Sequence, residues 1–159
     1  MPVIWVDADA TPKPVREIIC KAAIRTQTET RFVANHQVPV TPSPVIRSMQ
    51  VEPGFDVADN FIAQHCEAGD LVITQDIPLA AEVMEKQVQA INNRGETYNP
   101  QTIRQKLQMR DFMETMRSSG IQSGGPAAFS DKDKQAFANS LDRWLTKNRM
   151  ATPNTREKP

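Results

Sequence analysis

Short apolar runs separated by helix-patterned segments constrain the fold of this chain more than any other feature of its sequence. Residues 3–6 (VIWV) and 71–74 (LVIT) are short, mainly apolar runs, which are typical of strands buried on both faces of a sheet. Residues 30–34, 45–51 and 88–91 predict three further short strands. The sequence therefore predicts a sheet whose central strands are covered on both sides.

Proline positions, apolar stripes and capping residues predict helices between and after these strands. The predicted helices cover about 12–23, 55–66, 78–86, 100–117 and 131–147. Asn99 precedes Pro100 as an N-cap precedes the first helical residue, and Ser130 and Asp133 have the spacing of a capping box. Alternation of strands and helices predicts an α/β fold, with a mostly parallel central sheet flanked by helices and a C-terminal helical appendage.

The length of the chain and its unpatterned end predict the domain organisation. At 159 residues, the chain has the size of one compact domain, which we expect over residues 1–149. Residues 150–159 lack an apolar pattern, so we expect a disordered tail. No apolar stretch approaches the length of a membrane span, and the first residues lack a signal-peptide pattern. Cys20 and Cys66 do not have the spacing of metal ligands, and we expect both to be reduced thiols. Together these features predict a soluble, cytoplasmic protein.

Acidic side chains follow two of the predicted strands at their carboxyl ends. Asp7 and Asp9 come directly after the strand over 3–6, and Asp76 follows the strand over 71–74. Ligands of parallel sheets bind beyond the carboxyl ends of the strands. We therefore expect these three side chains to lie at one edge of the sheet.

The helix predicted over 55–66 carries two more carboxylates, three residues apart. Helical periodicity puts Asp59 on the flank of the apolar face, from which it can lean toward the sheet edge. Asp56 falls nearly opposite that face, and we interpret it as a first-turn acid favoured by the helix dipole. The two histidines, His36 and His65, have no ligand spacing and are interpreted as structural or surface residues.

Clusters of aspartate suit Mg²⁺ or Mn²⁺, because these ions prefer oxygen ligands, whereas Zn²⁺ prefers histidine and cysteine. The predicted ligands of one or two such ions are Asp7, Asp9, Asp59 and Asp76. The alternative is structural: Asp7 and Asp76 would cap the helices that follow them, and Asp9 would be a turn residue.

Several sequence blocks, in order, resemble the bacterial YaiI/YqxD family over about residues 3–147. The blocks are VDADATPKPVREII, FVANH, GFDVADNFI, GDLVITQDIPLA, RGETY, MRDFM and GGPAAFSDKDKQAFANSLDRWL. That family looks like a divergent branch of the PIN-like nucleases, whose sheet-edge aspartates bind Mg²⁺ or Mn²⁺ and cut RNA. The resemblance implies a PIN-like fold and a metal-dependent ribonuclease-like hydrolase.

The resemblance also implies roles for particular residues. Asp7 would be the acid of the first strand, Asp59 the helical acid and Asp76 the acid of the later strand, and these three would form the catalytic set. Asp9 would be an added acid of the family. Thr11 stands where the family usually has cysteine, and a hydroxyl neither binds soft metals nor attacks as a thiolate does.

Two other functions remain open at this point. The sequence Asp7-x-Asp9-x-Thr11 also matches the signature of haloacid-dehalogenase-type phosphohydrolases, in which the first aspartate is a covalent nucleophile. Such enzymes need an acidic pair after a further strand, whereas Asp70 here precedes its strand. A non-catalytic nucleic-acid-binding or regulatory module that keeps the fold and the acids is the other alternative.

Charge is balanced overall and uneven along the chain. Residues 1–100 carry 8 basic and 13 acidic side chains, and residues 101–159 carry 11 and 6. Arg94, in a tight loop, and Arg104 and Arg110, on the helix over 100–117, are the candidate contacts to substrate phosphates. The alternative is a solvated helix face. With so few cations and no net charge, RNA binding is expected to be weak and salt-sensitive.

Overall fold

Five parallel strands form one sheet in the computed structural model, which describes residues 2–54, 56–105, 107–109 and 129–151. The strands are β1 (Ile4–Asp7), β2 (Thr30–Ala34), β3 (Ile46–Gln50), β4 (Leu71–Ile73) and β5 (Gln89–Ile91). Their order across the sheet is β3-β2-β1-β4-β5, and every neighbouring pair is parallel. The prediction of an α/β fold with a parallel sheet is confirmed.

A helix follows each strand except β2, and the helices cover both faces of the sheet. They are α1 (Lys13–Thr26), α2 (Val57–His65), α3 (Ile77–Met84), α4 (helical at residues 100–105 and 107–109) and α5 (Asp131–Ala151). The remainder of the helix predicted over 100–117 lies outside the described residues. Helix α5 ends at Ala151, so it includes the first two residues of the predicted tail, and residues 152–159 lie outside the described part. Among the described residues, every helix is too short or too polar to cross a membrane.

The core consists of two apolar layers, one on each face of the sheet. In β1, Ile4 and Val6 belong to one layer and Trp5 to the other, as the two-residue period of a strand requires. Helices α1 and α5 cover the first layer, in which Phe137 and Leu141 of α5 are fully buried. The C-terminal helix is therefore part of the core. Helices α2 and α3, with the start of α4, cover the second layer.

Two helix starts follow the capping predicted from sequence. Asn99 Oδ1 accepts a hydrogen bond from the backbone N–H of Thr102 at 2.9 Å. Ser130 and Asp133 form a reciprocal capping box, in which the backbone N–H of Asp133 donates to Ser130 Oγ at 3.2 Å and that of Ser130 donates to Asp133 Oδ2 at 3.0 Å. Both predictions are confirmed.

The strand order creates a switch point beside the central strand. From β1 the chain moves outward to β2 and β3, and then returns to place β4 on the other side of β1. The loops that leave β1 and β4 therefore diverge to opposite sides, which opens a crevice at the carboxyl ends of these two strands. Asp7 is the last residue of β1, and Asp76 is the N-cap residue of α3, three positions after β4. The topology itself brings these two acids to the crevice.

Gly95 brings the loop after β5 into close contact with α5. It has a φ of +83°, and a Cβ at this position would lie 2.5 Å from the carbonyl oxygen of Ala136. We expect Gly95→Ala to lower the free energy of unfolding by roughly 2–4 kcal/mol, because it adds a steric clash to backbone strain. Gly69→Ala is the control, since Gly69 has a φ of +94° and, apart from its chain neighbours, no atom of the described residues lies within 4 Å of the added carbon. Equal losses for both variants in urea denaturation would contradict the close approach.

Candidate functional site

A cleft of about 370 Å³ opens at the carboxyl edge of the sheet, at the switch point between β1 and β4. Aspartates contribute five of its lining residues: Asp7, Asp9, Asp56, Asp59 and Asp76. The four aspartates predicted from sequence therefore come together in one cleft, joined by a fifth. They reach it from three separate segments, namely the end of β1, the start of α2 and the loop after β4.

Three of these carboxylates form a tight group. Each of Asp56, Asp59 and Asp76 contributes one carboxylate oxygen, and these three oxygens lie within 4.8 Å of one another. Asp56 is the N-cap residue of α2 in a left-handed conformation (φ 64°, ψ 11°), and its side chain forms no capping hydrogen bond. Its interpretation as a first-turn acid is therefore wrong, because it precedes the first turn and its carboxylate faces the other acids. The three-residue spacing from Asp59 was the sequence signal for this pairing.

The carboxyl group of Asp59 is shifted toward its protonated form. Burial raises its pKa to about 7, and the negative charges of Asp76 and Asp7 and a hydrogen bond to the Asp76 carboxyl act in the same direction. Near neutral pH, a substantial fraction of the molecules therefore carries a proton on Asp59.

Asp76 combines two roles that the sequence analysis treated as alternatives. Its Oδ1 accepts a hydrogen bond from the backbone N–H of Leu79 at 2.8 Å, so it caps α3 as the structural alternative predicts. The same side chain also belongs to the tight group with Asp56 and Asp59. A carboxylate has two oxygens with about four acceptor positions, so one cap leaves room for a ligand. The cap fixes the side chain and thereby orients its remaining acceptor positions.

Asp7 lies beside the tight group and is buried, with 6% of its surface exposed. Its Oδ2 accepts a hydrogen bond from Thr74 Oγ1 at 2.8 Å, and Thr74 Oγ1 accepts one from the backbone N–H of Asp76 at 2.9 Å. Burial raises the pKa of Asp7, as do the charges of Asp76 and Asp9, while the bond from Thr74 opposes the shift. Asp7 forms no capping hydrogen bond, so the cap alternative is wrong for this residue. Thr74, which links the two acids, was missed in the sequence analysis.

The carboxylate of Asp9 contacts the loop between β2 and β3 and not the tight group. Its Oδ2 accepts a hydrogen bond from the backbone N–H of Asn35 at 3.2 Å, and its Oδ1 lies 2.9 Å from His36 Nδ1. Asp9 is also the middle residue of a 3-10 turn, Ala8–Ala10, as the turn alternative predicts.

His36 is exposed, and so is His65, which stacks on Phe61. The surface interpretation of both histidines is confirmed, although the contact with Asp9 was not foreseen.

The two predicted arginines that the structure describes, Arg94 and Arg104, are absent from the lining of the cleft. Arg94 Nη1 pairs with Asp133 Oδ2 at 3.0 Å, at the capping box of α5. Its neighbour Asn93 forms hydrogen bonds with the cleft residues Gln75 and Ala10, so this loop supports the cleft from behind.

Neither of the other two candidate arginines is among the described residues that line the cleft. Arg104 is exposed on α4, and Arg110 lies outside the described residues. All the cations of the described part are absent from the lining of the cleft.

Comparisons with known proteins give a consistent assignment. The sequence profile of the family described as "Uncharacterized BCR, YaiI/YqxD family" matches residues 5–147. A UPF0178 protein of Aliivibrio salmonicida is 62% identical over 144 residues, which cover 91% of this chain and 95% of the relative. A UPF0178 protein of Pectobacterium carotovorum is 61% identical over 89% of this chain and 95% of the relative. A UPF0178 protein of Halorhodospira halophila is also 61% identical, over 91% of this chain and 95% of the relative.

No solved structure matches the chain. The family profile spans nearly the whole described fold, from β1 into α5, and so includes every aspartate of the cleft. The resemblance noted from the sequence blocks is thereby confirmed, and the chain belongs to the YaiI/YqxD family.

Proposed function

We propose that this chain hydrolyses phosphodiester bonds in RNA with one or two Mg²⁺ or Mn²⁺ ions bound in the sheet-edge cleft. The observation that supports the proposal is the tight group of Asp56, Asp59 and Asp76, with one oxygen each within 4.8 Å of one another. The resemblance to PIN-like nucleases supports RNA as the substrate. The cleft lies at the switch point of a parallel sheet, where ligands of this fold class bind.

The residues present fit such an ion. The donors are carboxylate oxygens from two segments, the start of α2 and the loop after β4, and such oxygens suit Mg²⁺ or Mn²⁺ and not Zn²⁺. We assign Asp56, Asp59 and Asp76 as its ligands, with Asp7 and Asp9 at the margin of the site. When bound, a divalent ion supplies Lewis-acid activation of water and neutralises charge on the phosphate.

The charge of the cleft explains why a cation is needed there. Five aspartates line the cleft, and none of the described cations does. A phosphate group would be repelled by this surface unless a bound cation reversed the local charge. The pKa of Asp59 is raised first by burial and then by the negative charges of Asp76 and Asp7, so a bound cation would also relieve part of this cost.

The chain's own residues orient the site. The backbone N–H of Leu79 fixes Asp76, and Thr74 links Asp76 to Asp7 through two hydrogen bonds. Asp9 ties the turn after β1 to Asn35 and so fixes that wall of the cleft. A site held by capping and strand-end hydrogen bonds needs little reorganisation when a ligand binds.

The haloacid-dehalogenase alternative receives no support from this geometry. Asp7, its covalent nucleophile, is buried, and its Oδ2 is engaged by Thr74. The lysine that such enzymes need is not among the residues that line the cleft in the described part of the chain.

The experiment compares the parent protein with Asp76→Asn, which keeps the cap on α3 because asparagine also caps well. We expect Mn²⁺-dependent cleavage of a labelled single-stranded RNA by the parent, abolished by a chelator, and reduced at least about 100-fold in the variant. Asp131→Asn is the control, because Asp131 is a surface acid on α5 whose side chain is 96% exposed.

Two results would contradict the proposal in different ways. Stabilisation of the parent by Mn²⁺ without any cleavage would favour the non-catalytic module. Absence of both stabilisation and cleavage would rule out the metal site itself.

A further inference from the structure

We infer that a second groove, beside the acidic cleft, binds a further phosphate of the same single-stranded polynucleotide. This groove has a volume of about 310 Å³ and lies between the first two turns of α1 and residues 39–41 of the loop between β2 and β3. The inference rests on the proposed function of the cleft and extends it from one phosphodiester to a strand. We call this second groove the α1 groove.

One face of α1 supplies the charged wall of the α1 groove. Lys13, Arg16, Glu17 and Cys20 line it, and their spacing of three and four residues places them on the same side of the helix. Two cations and one carboxylate give this wall a net positive charge, in contrast to the five aspartates of the cleft. A phosphate is therefore attracted to the α1 groove without the help of a metal ion.

The two cations of the α1 groove differ in their contacts with the rest of the protein. Arg16 Nη1 donates a hydrogen bond to the carbonyl oxygen of Thr11 at 2.6 Å, which fixes the direction of the guanidinium. A guanidinium has five N–H donors, so this bond leaves donors for a ligand. Lys13 is exposed and forms no ion pair with any residue that the structure describes. Its ammonium group can therefore approach a phosphate without first breaking a salt bridge within the described part.

The α1 groove and the acidic cleft share their two supporting segments. Ala10 lines the cleft and Lys13 lines the groove, three residues further along the chain. On the opposite side, Asn35 lines the cleft and Pro39 lines the groove. The bonds from Asn35 and His36 to Asp9 tie these two segments together between the two sites. We therefore place the path of the strand between the cleft and the groove across this junction.

The opposite wall favours a nucleotide strand over a simple anion. Pro39 and Val40 offer exposed and half-exposed apolar surface, and Thr41 adds a hydroxyl. Such a wall can contact a sugar or a base edge while the cations contact the phosphate. The described lining contains no aromatic ring for base stacking, so binding should be weak and tolerant of sequence.

The test measures the binding of a fluorescein-labelled oligouridylate to the full chain by anisotropy, in chelator and over a range of salt concentrations. Chelator prevents metal-dependent cleavage, so the outcome does not depend on hydrolytic activity. We expect Lys13→Gln to weaken binding about three- to tenfold at low salt and to reduce the slope of log K against log salt by about 0.7, as for one lost phosphate contact on a single strand.

Two matched variants make the result specific to the α1 groove. Glu17→Gln removes the one carboxylate among the lining residues that the structure describes, and it should strengthen binding, which is opposite to the effect expected of Lys13→Gln. Lys21→Gln removes a charge from the same helix outside the groove and should leave affinity and slope unchanged. Melting temperatures within about 2 °C of the parent would show that all three variants are folded.

Unchanged affinity and slope for Lys13→Gln, or an equal loss for Lys21→Gln, would overturn the inference, because binding would then reflect surface charge in general. Failure of the proposed function gives a different pattern. In that case RNA is not cleaved in Mn²⁺, while the Lys13 and Glu17 variants still shift RNA binding in opposite directions.

Discussion

Replacing Asp59 with asparagine is expected to raise the melting temperature of the metal-free protein at pH 8 and to abolish its stabilisation by Mn²⁺. The native fold raises the pKa of Asp59 to about 7, so at pH 8 folding carries the cost of an ionised carboxylate beside Asp76 and Asp7. Because the side chain is partly exposed, solvent screening reduces this cost to about 1–2 kcal/mol. The expected rise in melting temperature is therefore roughly 2–8 °C.

The pH dependence of this effect has a definite sign. A folded-state pKa above the unfolded value means that the contribution of Asp59 to stability is complete below about pH 4 and is lost as the pH rises through 7. The advantage of Asp59→Asn over the parent should therefore shrink between pH 8 and pH 5. Differential scanning fluorimetry of both proteins in chelator measures this difference, and Asp131→Asn serves as the control.

Mn²⁺ binding to the parent should depend on the same proton. In the proposed site the ion would displace the proton held by Asp59, so its affinity should rise by up to about tenfold per pH unit between pH 5 and pH 7. Asp59→Asn should show no stabilisation by Mn²⁺ at any pH. If the variant instead melts below the parent at both pH 5 and pH 8 in chelator, mutual repulsion of the acids is not what governs this cleft.

Replacing Asp70 with alanine is expected to destabilise the fold by about 3–5 kcal/mol. The side chain is buried and accepts hydrogen bonds from the backbone N–H of Val3 at 2.9 Å, from Trp5 Nε1 at 3.0 Å and from the backbone N–H of Glu67 at 2.9 Å. It thereby ties the start of β1 to the loop before β4. Removing the carboxylate leaves these donors without their acceptor, one of them the buried indole of Trp5.

Urea denaturation of four proteins tests this account. These are the parent, Asp70→Ala, Trp5→Phe and the double variant, so that the cycle isolates the bond between the two side chains. We expect a coupling free energy of about 1–3 kcal/mol, because Phe removes the orphaned donor and Asp70→Ala then costs less. A loss below about 1 kcal/mol for Asp70→Ala alone would mean that water replaces the missing acceptor.

Local sequence signals determined the secondary structure and much of the site. Buried strands such as β1 and β4 follow from short apolar runs, and the starts of α4 and α5 follow from caps that involve residues three apart. The parallel alternation then implied that Asp7 and Asp76 meet at one edge, because the strand ends of a parallel sheet lie together. These inferences can be made from residues that are close in sequence, together with the fold class.

Tertiary structure decided which partner each side chain meets. Asp56 joins the tight group from a left-handed N-cap position, and Asp9 accepts a hydrogen bond from the β2–β3 loop. Arg94 pairs with Asp133, 39 residues away, and Asp70 accepts from Trp5, 65 residues away. Residues so far apart in sequence share no local pattern. Their contacts depend on strand order, register and the close packing of α5 on the loop after β5, which are set only when the whole core forms.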